Sequence, residues 1–420
     1  MDRKSGYYNK KQETMSNAAR RRYQETWLRE LVSQAWKNAP GVKRRIEAAG
    51  LTPRDLYSLD DLEKLSVLKK SALPELQRTD PPFGGFCTLP RSKLRRIFSS
   101  PGPIYEALGP EIGAWHSATG LYAGGFRPGD LVINTFAYHL TPAAHMFDEG
   151  LQMIGCAVVP TGVGNTDTQV TVAQALGVTG YVGTPSFLMT ILNRAEEMGV
   201  GRLPFEVAQV AAEALPESLR SVFEERYGIM TRQGFGTAEL GIVAYECREK
   251  SGMHLVDDAI VQVCNPVSGE PLQNGQLGEL VVTVNHRAFP MIRFGTGDLT
   301  IISNEKCPCG RTSARMLGWR GRTDELTKVR GIFIHPRLAD EAAARVSGVS
   351  RYQVVVTRKD HLDELVFRVE LAGAAAGPAV AAGLTRAIRD VMKLRGDVEV
   401  VPPGSIPDGA KKILDQRKWE

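Results

Sequence analysis

The region from residue 131 to residue 235 constrains the fold most strongly, because short apolar runs alternate there with segments of helical character. The apolar runs cover residues 131–138, 154–160, 179–183, 207–211 and 229–235. Runs of this length that are apolar throughout are typical of parallel strands buried on both faces. Residues 216–227 give the clearest intervening helix, with a proline near its first turn and Gly228 after its end. The alternation predicts an α/β fold with a mostly parallel sheet covered by helices, and ligands bound beyond the carboxyl ends of its strands.

The regions on either side have other patterns. Residues 1–80 read as helical and irregular, whereas residues 259–263, 278–284 and 291–294 predict strands of a β-rich subdomain over about 240–320. After Gly331, helices are predicted at 336–346 and 380–394, and strands at 352–357, 364–371 and 398–401. A chain of 420 residues is too long for one ordinary core. We therefore predict a large domain over 1–323 and a small, mobile α+β domain over 324–420.

Composition and charge narrow the class of protein. Hydrophobic residues make up 43% of the chain and charged residues 24%, as in soluble globular proteins. No apolar run approaches the roughly 18 residues that span a bilayer, and residues 1–6 contain no apolar core of an export signal. Six cysteines in such a chain argue against a disulfide framework. We expect a cytoplasmic protein that binds no membrane.

Basic residues are concentrated near the beginning of the chain. Residues 1–50 contain twelve Lys and Arg against five Asp and Glu, an excess that could contact nucleic acid. The same segment carries apolar residues at helical spacing: Trp27, Leu28, Leu31, Val32 and Trp36. The arginines are better explained as the solvated face of that helix, and no nucleic-acid partner is expected.

Polar residues with recognisable chemistry gather between residues 297 and 336. The sequence reads Gly297-Asp298, then Cys307-Pro308-Cys309, then Gly321-Arg322-Thr323-Asp324-Glu325. This run lies where the two predicted domains meet, which is a usual place for a ligand site. Together with Gly183-Thr184-Pro185 and Phe235-Gly236-Thr237-Ala238-Glu239, it resembles the phenylacetate–CoA ligase family of the adenylate-forming (acyl-CoA synthetase-like) superfamily. The resemblance extends from about residue 13 to residue 417.

The resemblance implies a nucleotide site and assigns residues to it. Asp298, which follows a predicted strand, would accept hydrogen bonds from the ribose hydroxyls, and Arg322 would contact the ribose or a phosphate. Glu239 would lie near the α-phosphate and its Mg²⁺, because a hard dication prefers carboxylate and phosphate oxygens. The remaining expected nucleotide contacts are Glu213 and Ala214 beside the adenine, and Phe235, Gly236 and Thr237 before the acid. Ala212-Glu213-Ala214 has alanine where the family usually has Gly or Pro, and Ala238 replaces the family's Ser or Thr.

The expected phosphate loop departs from the family pattern. Residues 99–106 read Ser-Ser-Pro-Gly-Pro-Ile-Tyr-Glu where the family reads Ser-Ser-Gly-Thr-Thr-Gly-Lys. Ser99 and Ser100 are retained, but two prolines remove amide donors and Glu106 falls near the place of the lysine. A charge-assisted contact is worth about 1.5–3 kcal/mol, so we predict that this loop does not grip a triphosphate in the usual way.

The family's C-terminal catalytic lysine also lacks a clear counterpart. Matching residues 413–415 to the family's apolar pair and Asp places Gly409 at the catalytic position, and a short shift restores Lys411 or Lys412. Lys411 is the candidate, with a solvated surface lysine as the alternative. The resemblance also implies a hinge at Asp324 and Glu325 that serves two half-reactions.

The acyl substrate is expected to bind after the first and third of these buried strands. The resemblance places Tyr138 and His139 near the substrate carboxylate, and Gly183, Thr184 and Pro185 beside them. A structural role for His139 is equally consistent with its position at a strand end. A loose match of residues 145–150 to an acyltransferase His-x-x-x-Asp-Gly motif is discounted.

A metal centre is predicted from cysteine and histidine spacing. Cys247, His254, Cys307 and Cys309 form a Cys₃His set that could close a tetrahedral zinc shell, the alternative being free thiols. Four protein ligands leave no open position, so such a zinc would be structural. Cys87, Cys156 and Cys264 are isolated and read as small buried hydrophobes.

Three functions are consistent with these residues. The first is a ligase that uses ATP, Mg²⁺ and CoA to convert a carboxylic acid, aromatic by preference, into a CoA thioester through an acyl-adenylate. The second is an ATP-independent acyltransferase acting on a carrier-protein thiol or an amine, and the third is a nucleotide- or CoA-binding pseudoenzyme. Pyrophosphate release distinguishes the first from the others. We favour the ligase and expect a homodimer from the family resemblance.

Overall fold

The structure is a computed structural model that describes residues 2–100, 103–323, 327–329, 332–359, 362–373 and 377–417. Contacts divide the chain into two units, Met1–Trp319 and Arg320–Glu420. The predicted domain boundary after Thr323 stays a prediction.

The helices of the first unit are α1 (Lys10–Glu13), α2 (Asn17–Asn38), α3 (Pro40–Ala48), α4 (Leu73–Thr79), α5 (Ser117–Ala123), α6 (Ala143–Ile154), α7 (Thr166–Leu176), α8 (Pro185–Glu197) and α9 (Glu217–Ser221). Those of the second unit are α10 (Pro336–Ala344) and α11 (Gly377–Met392).

The strands of the first unit are β1 (Leu68–Lys69), β2 (Arg96–Ser100), β3 (Ile104–Leu108), β4 (Leu131–Asn134), β5 (Ala157–Val159), β6 (Gly180–Gly183), β7 (Val207–Val210), β8 (Met230–Thr237), β9 (Gly241–Glu246), β10 (Met253–Leu255), β11 (Ala259–Cys264), β12 (Gly278–Val284), β13 (Phe294–Thr300), β14 (Ile302–Ser303) and β15 (Arg315–Met316). Those of the second unit are β16 (Thr327–Val329), β17 (Ile332–Ile334), β18 (Val349–Lys359), β19 (Leu362–Leu371), β20 (Asp397–Val400) and β21 (Ile413–Asp415).

The main sheet of the first unit has, among the residues described, nine strands in the order β14-β15-β10-β9-β8-β7-β6-β4-β5. The five strands from β8 to β5 pair in parallel, and helices connect them along the chain. The predicted α/β fold with a parallel, helix-covered run of strands is therefore confirmed, whereas the strands from β14 to β9 continue the sheet from β8 in antiparallel pairs. Its central strands are mostly apolar because both faces are covered, and β6 and β7 are buried at every position, Gln209 of β7 included. The predicted helix at 216–227 is α9 followed by a π-helix at Val222–Arg226.

The N-terminal 80 residues are largely helical, as predicted. Trp27, Leu28 and Leu31 of α2 are buried in the core, which explains their helical spacing. The basic residues of the segment pair within the unit: Arg20 forms an ion pair with Asp257 at 2.7 Å. Arg20 thereby attaches α2 to the segment between β10 and β11.

A second sheet of the first unit has the order β1-β13-β12-β11. The prediction of a strand at 291–294 was wrong, because β13 begins only at Phe294 and continues to Thr300. Arg293 has a positive φ of 51°, which turns the backbone immediately before the strand, and Met291 and Ile292 fill the core without pairing. Asp298 accordingly lies inside a strand and not after one.

The second unit contains a hairpin, β16–β17, and a sheet of the order β20-β19-β18-β21 in its described part. The predicted helices and strands are present with bounds shifted by a few residues. Three strands of this unit were missed: β16 and β17, which form the hairpin, and β21, which pairs in parallel with β18. The aligned pair Val354 and Ile413 of β18 and β21 is buried. No helix in the described part of the chain combines the length and apolar character needed to cross a lipid bilayer.

Candidate active site and metal centre

Most of the predicted site residues of the first unit follow the carboxyl ends of neighbouring parallel strands. Tyr138 follows β4, Gly183 ends β6 and Thr184 follows it, Glu213 follows β7, and Thr237 ends β8. Because these strands are parallel, their carboxyl ends lie at one edge of the sheet. These site residues, selected from the sequence, therefore lie at one edge of the sheet. Parallel sheets usually bind their ligands at that edge.

The turn after β6 has room only for glycine. A Cβ at Gly183 would lie 2.0 Å from Thr135 Oγ1 and 2.2 Å from the Tyr181 hydroxyl oxygen. Thr184 then caps α8, its Oγ1 accepting a hydrogen bond from the Phe187 amide at 3.3 Å, and Pro185 occupies the first helical turn. These residues fix the backbone at the strand end.

The predicted adenine segment is attached to the start of α8 through Glu213. This exposed carboxylate accepts a hydrogen bond from Ser186 Oγ at 2.9 Å on Oε1 and one from the Ser186 amide at 3.3 Å on Oε2. Ala212 adopts a left-handed conformation with φ of 68°, which costs a non-glycine residue about 1–2 kcal/mol. The strain falls where the sequence has alanine and the related pattern has Gly or Pro. Ala214 is exposed beside it.

The residues after β4 form the candidate acyl-substrate region. The Tyr138 hydroxyl donates to Asp148 Oδ1 at 3.2 Å, and burial raises the pKa of the Asp148 carboxyl. His145 of α6 packs edge-on against the Tyr138 ring, with 5.3 Å between ring centroids. His139 is exposed, and within the described residues its ring makes no hydrogen bond or ring contact. Sequence reasoning selected His139 and discounted residues 145–150, yet it is His145 that lies against Tyr138.

The predicted phosphate loop is a β-hairpin made of β2 and β3. The Ser99 amide donates to the Leu140 carbonyl oxygen at 2.8 Å, which attaches the hairpin to the segment after β4. The Ser100 hydroxyl donates to Glu106 Oε1, and Glu106 is only 4% exposed. Burial, with a further contribution from the negative charge of Glu239, raises the pKa of Glu106 to about 7. Pro101 and Gly102 lie outside the described residues.

Glu239 has a partner that the sequence analysis missed. Its buried carboxylate forms an ion pair with Lys70, whose Nζ lies 2.9 Å from Oε1 and 3.2 Å from Oε2. The neighbouring Lys69 pairs in the same way with the buried Glu279. The pair of adjacent lysines, Lys69 and Lys70, is visible in the sequence. Nothing in the sequence connects it with Glu239 or Glu279, because both acids lie far away along the chain. Phe235 and Gly236 occupy the strand before Glu239, and Gly236 is exposed.

Asp298 is oriented by a second residue that the sequence analysis missed. The Trp319 indole donates from Nε1 to Asp298 Oδ1 at 2.9 Å, and the Asp298 amide donates to Thr296 Oγ1 at 3.0 Å. Arg322 belongs to the second unit. The predicted hinge residues Asp324 and Glu325 lie outside the described residues.

The two candidate C-terminal lysines differ in their contacts. Lys412 forms an ion pair with Asp340 and lies over the Tyr352 ring at 6.0 Å. Lys411 is exposed, and within the described part of the second unit its ammonium group has no hydrogen bond or ion pair. The lysine selected from the sequence is thus the one whose ammonium group has no partner among the residues that the structure describes in this unit.

The predicted zinc ligands converge in the structure. Potential ligand atoms of Cys247, His254, Cys307 and Cys309 all lie within 4.8 Å of one another, and all four residues are buried. Cys309 Sγ is 3.3 Å from His254 Nε2, and the Sγ atoms of Cys247 and Cys307 are 3.7 Å apart. These distances suit edges of a tetrahedron with Zn–S bonds of about 2.3 Å and Zn–N bonds of about 2.0 Å.

Residues around the cluster orient it. His254 Nδ1 lies 3.3 Å from the Ser313 carbonyl oxygen, a contact that leaves Nε2 to face the sulfur atoms. The Tyr7 hydroxyl donates to the Cys309 carbonyl oxygen at 3.0 Å, and Arg311 pairs with the buried Glu13 at 2.7 Å. The cluster therefore fastens the N-terminal segment to the sheet, and the residues present fit a structural zinc ion.

Comparison with known proteins assigns the chain to a family. A family profile described as AMP-binding enzyme matches residues 116–287, and one described as AMP-binding enzyme C-terminal domain matches residues 331–417. The chain is 31% identical to the phenylacetate-coenzyme A ligase of Thermus thermophilus, over 98% of this chain and all of that protein. It belongs to the phenylacetate–CoA ligase family. A second family member, from Aromatoleum evansii, is 30% identical over 93% of this chain and 92% of its own.

A solved relative of the phenylacetate–CoA ligase family supports the same fold. An open conformation of 2-hydroxyisobutyryl-CoA ligase, in complex with 2-HIB-AMP and CoA, matches with a TM-score of 0.88 and 28% identity. The match covers 99% of this chain and 95% of that one. The family resemblance inferred from the sequence motifs is confirmed, and so is the adenylate-forming fold.

Proposed function

We propose that this chain is a carboxylate–CoA ligase that activates a carboxylic acid with ATP and transfers the acyl group to CoA. The observation that carries the proposal is the buried Glu239 at the end of β8, at the same sheet edge as Tyr138 and Gly183, in a chain of the phenylacetate–CoA ligase family. Thr237 Oγ1 beside it is buried and, among the described residues, has no hydrogen-bond partner. A buried polar group without a partner is costly unless a ligand satisfies it.

The proposed reaction has two steps. A carboxylate oxygen of the acid attacks the α-phosphorus of ATP, the bond to pyrophosphate breaks, and an acyl-adenylate forms. The CoA thiolate then attacks the acyl carbon, a thioester forms and AMP leaves. Glu239 binds the Mg²⁺ that accompanies the phosphates, Asp298 accepts hydrogen bonds from the ribose hydroxyls, and the Trp319 indole holds the Asp298 carboxylate in place.

The other assigned residues have supporting roles. Tyr138 lies beside the acyl group, with its hydroxyl fixed by Asp148, and Arg322 binds the ribose or a phosphate. Lys411 contacts the α-phosphate in the first step, consistent with an ammonium group that lacks a partner among the described residues of its unit. The hinge at Asp324 and Glu325, a homodimer and an acyl carrier protein as alternative acceptor stay predictions.

The acid is proposed to be aromatic, as in the names of the curated relatives. The solved relative acts on 2-hydroxyisobutyrate, so small hydroxy acids form the second panel to test. Pyrophosphate release from ATP and Mg²⁺, measured with each acid, tests the first step, and thioester formation after CoA addition tests the second. Exchange of thioester from acyl-CoA without pyrophosphate release would instead indicate an ATP-independent acyltransferase, and neither activity would indicate a binding protein.

A structural zinc ion is proposed for Cys247, His254, Cys307 and Cys309. We also propose a cytoplasmic location, because six cysteines without a predicted disulfide framework suit a reducing compartment. Zinc content of the purified chain tests the metal assignment.

A further inference from the structure

The strand β13 is interrupted by a bulge that contains Asp298. Between the aligned residue pairs on its two sides, β12 contributes one residue and β13 contributes three, namely Thr296, Gly297 and Asp298. Gly297 has a φ of 78°, in the left-handed region that favours glycine. Bulges bend a strand and change the direction of its side chains, and they are common beside functional sites. The bulge therefore determines how the Asp298 carboxylate is presented.

The bulge is held by a buried carboxylate of the neighbouring strand β12. The Gly297 amide donates to Glu279 Oε1 at 3.2 Å, and Glu279 is only 1% exposed. The Thr296 hydroxyl donates to the Leu280 carbonyl oxygen at 3.0 Å, and its oxygen accepts from the Asp298 amide at 3.0 Å. Asp298 itself is half-buried. Its backbone is thus fixed while its carboxylate is partly accessible.

Lys69 neutralises Glu279 and fixes its direction. The strand β1 runs parallel to β13 with Lys69 aligned to Gly295, and Lys69 Nζ forms an ion pair with Glu279 Oε2. The same Nζ donates to the Pro266 carbonyl oxygen at 2.9 Å. A Cβ at Gly295 would lie 2.6 Å from Glu279 Oε1, so glycine leaves the space that this carboxylate occupies. Because the ammonium group takes Oε2, Oε1 remains for the Gly297 amide.

We propose that Glu279 and Lys69 are positioning residues for Asp298, which hold the bulge in the geometry in which its carboxylate accepts both ribose hydroxyls. This inference rests on the proposed function, through the ribose role of Asp298. Trp319 contacts the carboxylate directly, whereas Glu279 and Lys69 act through the backbone of the bulge. Hydrogen bonds weaken steeply as their angle departs from linear, so two hydroxyls on one carboxylate require an accurate direction. Loss of Glu279 should therefore affect recognition of the hydroxyls more than binding of the rest of the nucleotide.

The test is whether the full-length chain distinguishes AMP from 2′,3′-dideoxy-AMP in calorimetric titrations. The wild type should bind AMP at least about tenfold more tightly, because the analogue lacks two hydrogen bonds to a charged acceptor. Glu279→Leu should reduce this preference at least about threefold while the analogue binds as before, and Lys69→Met should act in the same direction. The double variant Lys69→Met with Glu279→Gln should recover the preference, since an amide oxygen still accepts from Gly297 and no unpaired charge remains. Glu13→Gln, which changes a buried acid paired with Arg311, is the control and should lower the thermal midpoint without changing the preference.

The two nucleotides separate the possible outcomes. A wild-type preference in Glu279→Leu, or equal weakening of both nucleotides, would overturn the positioning role. If Glu279→Leu does not fold, Lys69→Met decides by the same criterion, because Lys69 is partly exposed. A wild type without a preference for AMP would remove the ribose assignment of Asp298 and this inference with it. Loss of the preference in Asp298→Ala but in neither Glu279→Leu nor Lys69→Met would remove this inference alone.

Discussion

The Lys70 ammonium group lies 2.9 Å from Glu239 Oε1, although the two residues are 169 positions apart in the chain. This ion pair connects the helical N-terminal segment with the end of β8. Since Glu239 is buried and Lys70 is partly exposed, the lysine is the partner that neutralises the acid in the ligand-free chain.

Replacement of Lys70 by methionine should destabilise the first unit and abolish acid activation. Removing one partner of a buried pair leaves an uncompensated charge that costs about 3 kcal/mol or more, reduced here because Lys70 is partly exposed. The thermal midpoint and pyrophosphate release are the two measurements. The double variant Lys70→Met with Glu239→Gln should recover stability without recovering activity. Lys64→Met, which affects an exposed pair with Asp61, is the control, and a Lys70→Met chain as stable as this control would contradict the prediction.

Substitution of Trp319 by phenylalanine should weaken binding of an AMP analogue without unfolding the chain. The indole donates a hydrogen bond to a charged carboxylate, and hydrogen bonds of this type contribute about 1.5–3 kcal/mol. Without it Asp298 is less well oriented toward the ribose, so we expect the affinity for the AMP analogue to fall about tenfold or more. Asp298→Ala should lose more, because the ribose contact disappears with it. Calorimetric titration measures both, and Trp36→Phe, in the N-terminal helix, serves as the matched control. Unchanged affinity in Asp298→Ala would refute the ribose assignment.

Cys309→Ser should remove zinc and lower the thermal midpoint. The serine oxygen cannot replace a thiolate ligand in a site of this kind, and the N-terminal segment attached through Tyr7 and Glu13 should become sensitive to protease. Elemental analysis of the wild type should give about one zinc per chain. Cys87→Ser, a half-buried cysteine outside the cluster, should keep the metal. Equal zinc content in both variants would exclude the Cys₃His assignment.

Lys411→Ala should reduce acid activation at least about a hundredfold, because a cation aimed at the α-phosphate acts mainly on the transition state. Lys412→Ala should reduce it little and should instead cost a few tenths of a kcal/mol in stability, since its pair with Asp340 is exposed. Pyrophosphate release at saturating acid compares the two variants directly. A larger loss in Lys412→Ala would move the catalytic assignment by one residue.

The stability of the first unit should fall in mild acid through His286. Burial lowers the pKa of His286 to about 4 from an ordinary value of 6.5, and its Nδ1 accepts a hydrogen bond from the Phe289 amide. The unfolded chain therefore takes up a proton first, and stability is lost as the pH falls from about 6.5 toward 4, by about 3 kcal/mol in total. Thermal midpoints across this range should decline less steeply in His286→Gln. A parallel decline in both chains would assign the loss to other groups.

The spacing of apolar residues predicted helices and strands well where burial alone determines which residues are apolar. The five parallel strands are mostly apolar because helices cover both faces, so β4 to β8 were found within a few residues. The strand β13 was misplaced because Met291 and Ile292 are buried as a strand would be, while the turn at Arg293 depends on a positive φ that apolar spacing does not reveal. The strand β21 was missed because a three-residue strand has no period of its own and is defined by its partner β18.

The candidate site was predictable only where a motif carried it. Residues 235–239 and the four residues of the Cys₃His cluster were selected from the sequence, because each set has short internal spacing or distinctive chemistry. Lys70 and Trp319 were not predicted. Their contacts with Glu239 and Asp298 form only when the chain folds and leave no pattern in the sequence. The sequence showed Glu106 only as a departure from the family's phosphate-loop pattern. That it is buried and hydrogen-bonded to Ser100 became known from the structure.

The space around Gly183 has a practical consequence for changing which acids the protein accepts. Any side chain at this position would meet Thr135 and Tyr181 at distances that no rotamer can avoid. A mutant library for altered acid selectivity should therefore keep residue 183 constant and diversify Tyr138, His145 and Asp148, which contact one another in the region proposed for the acyl group.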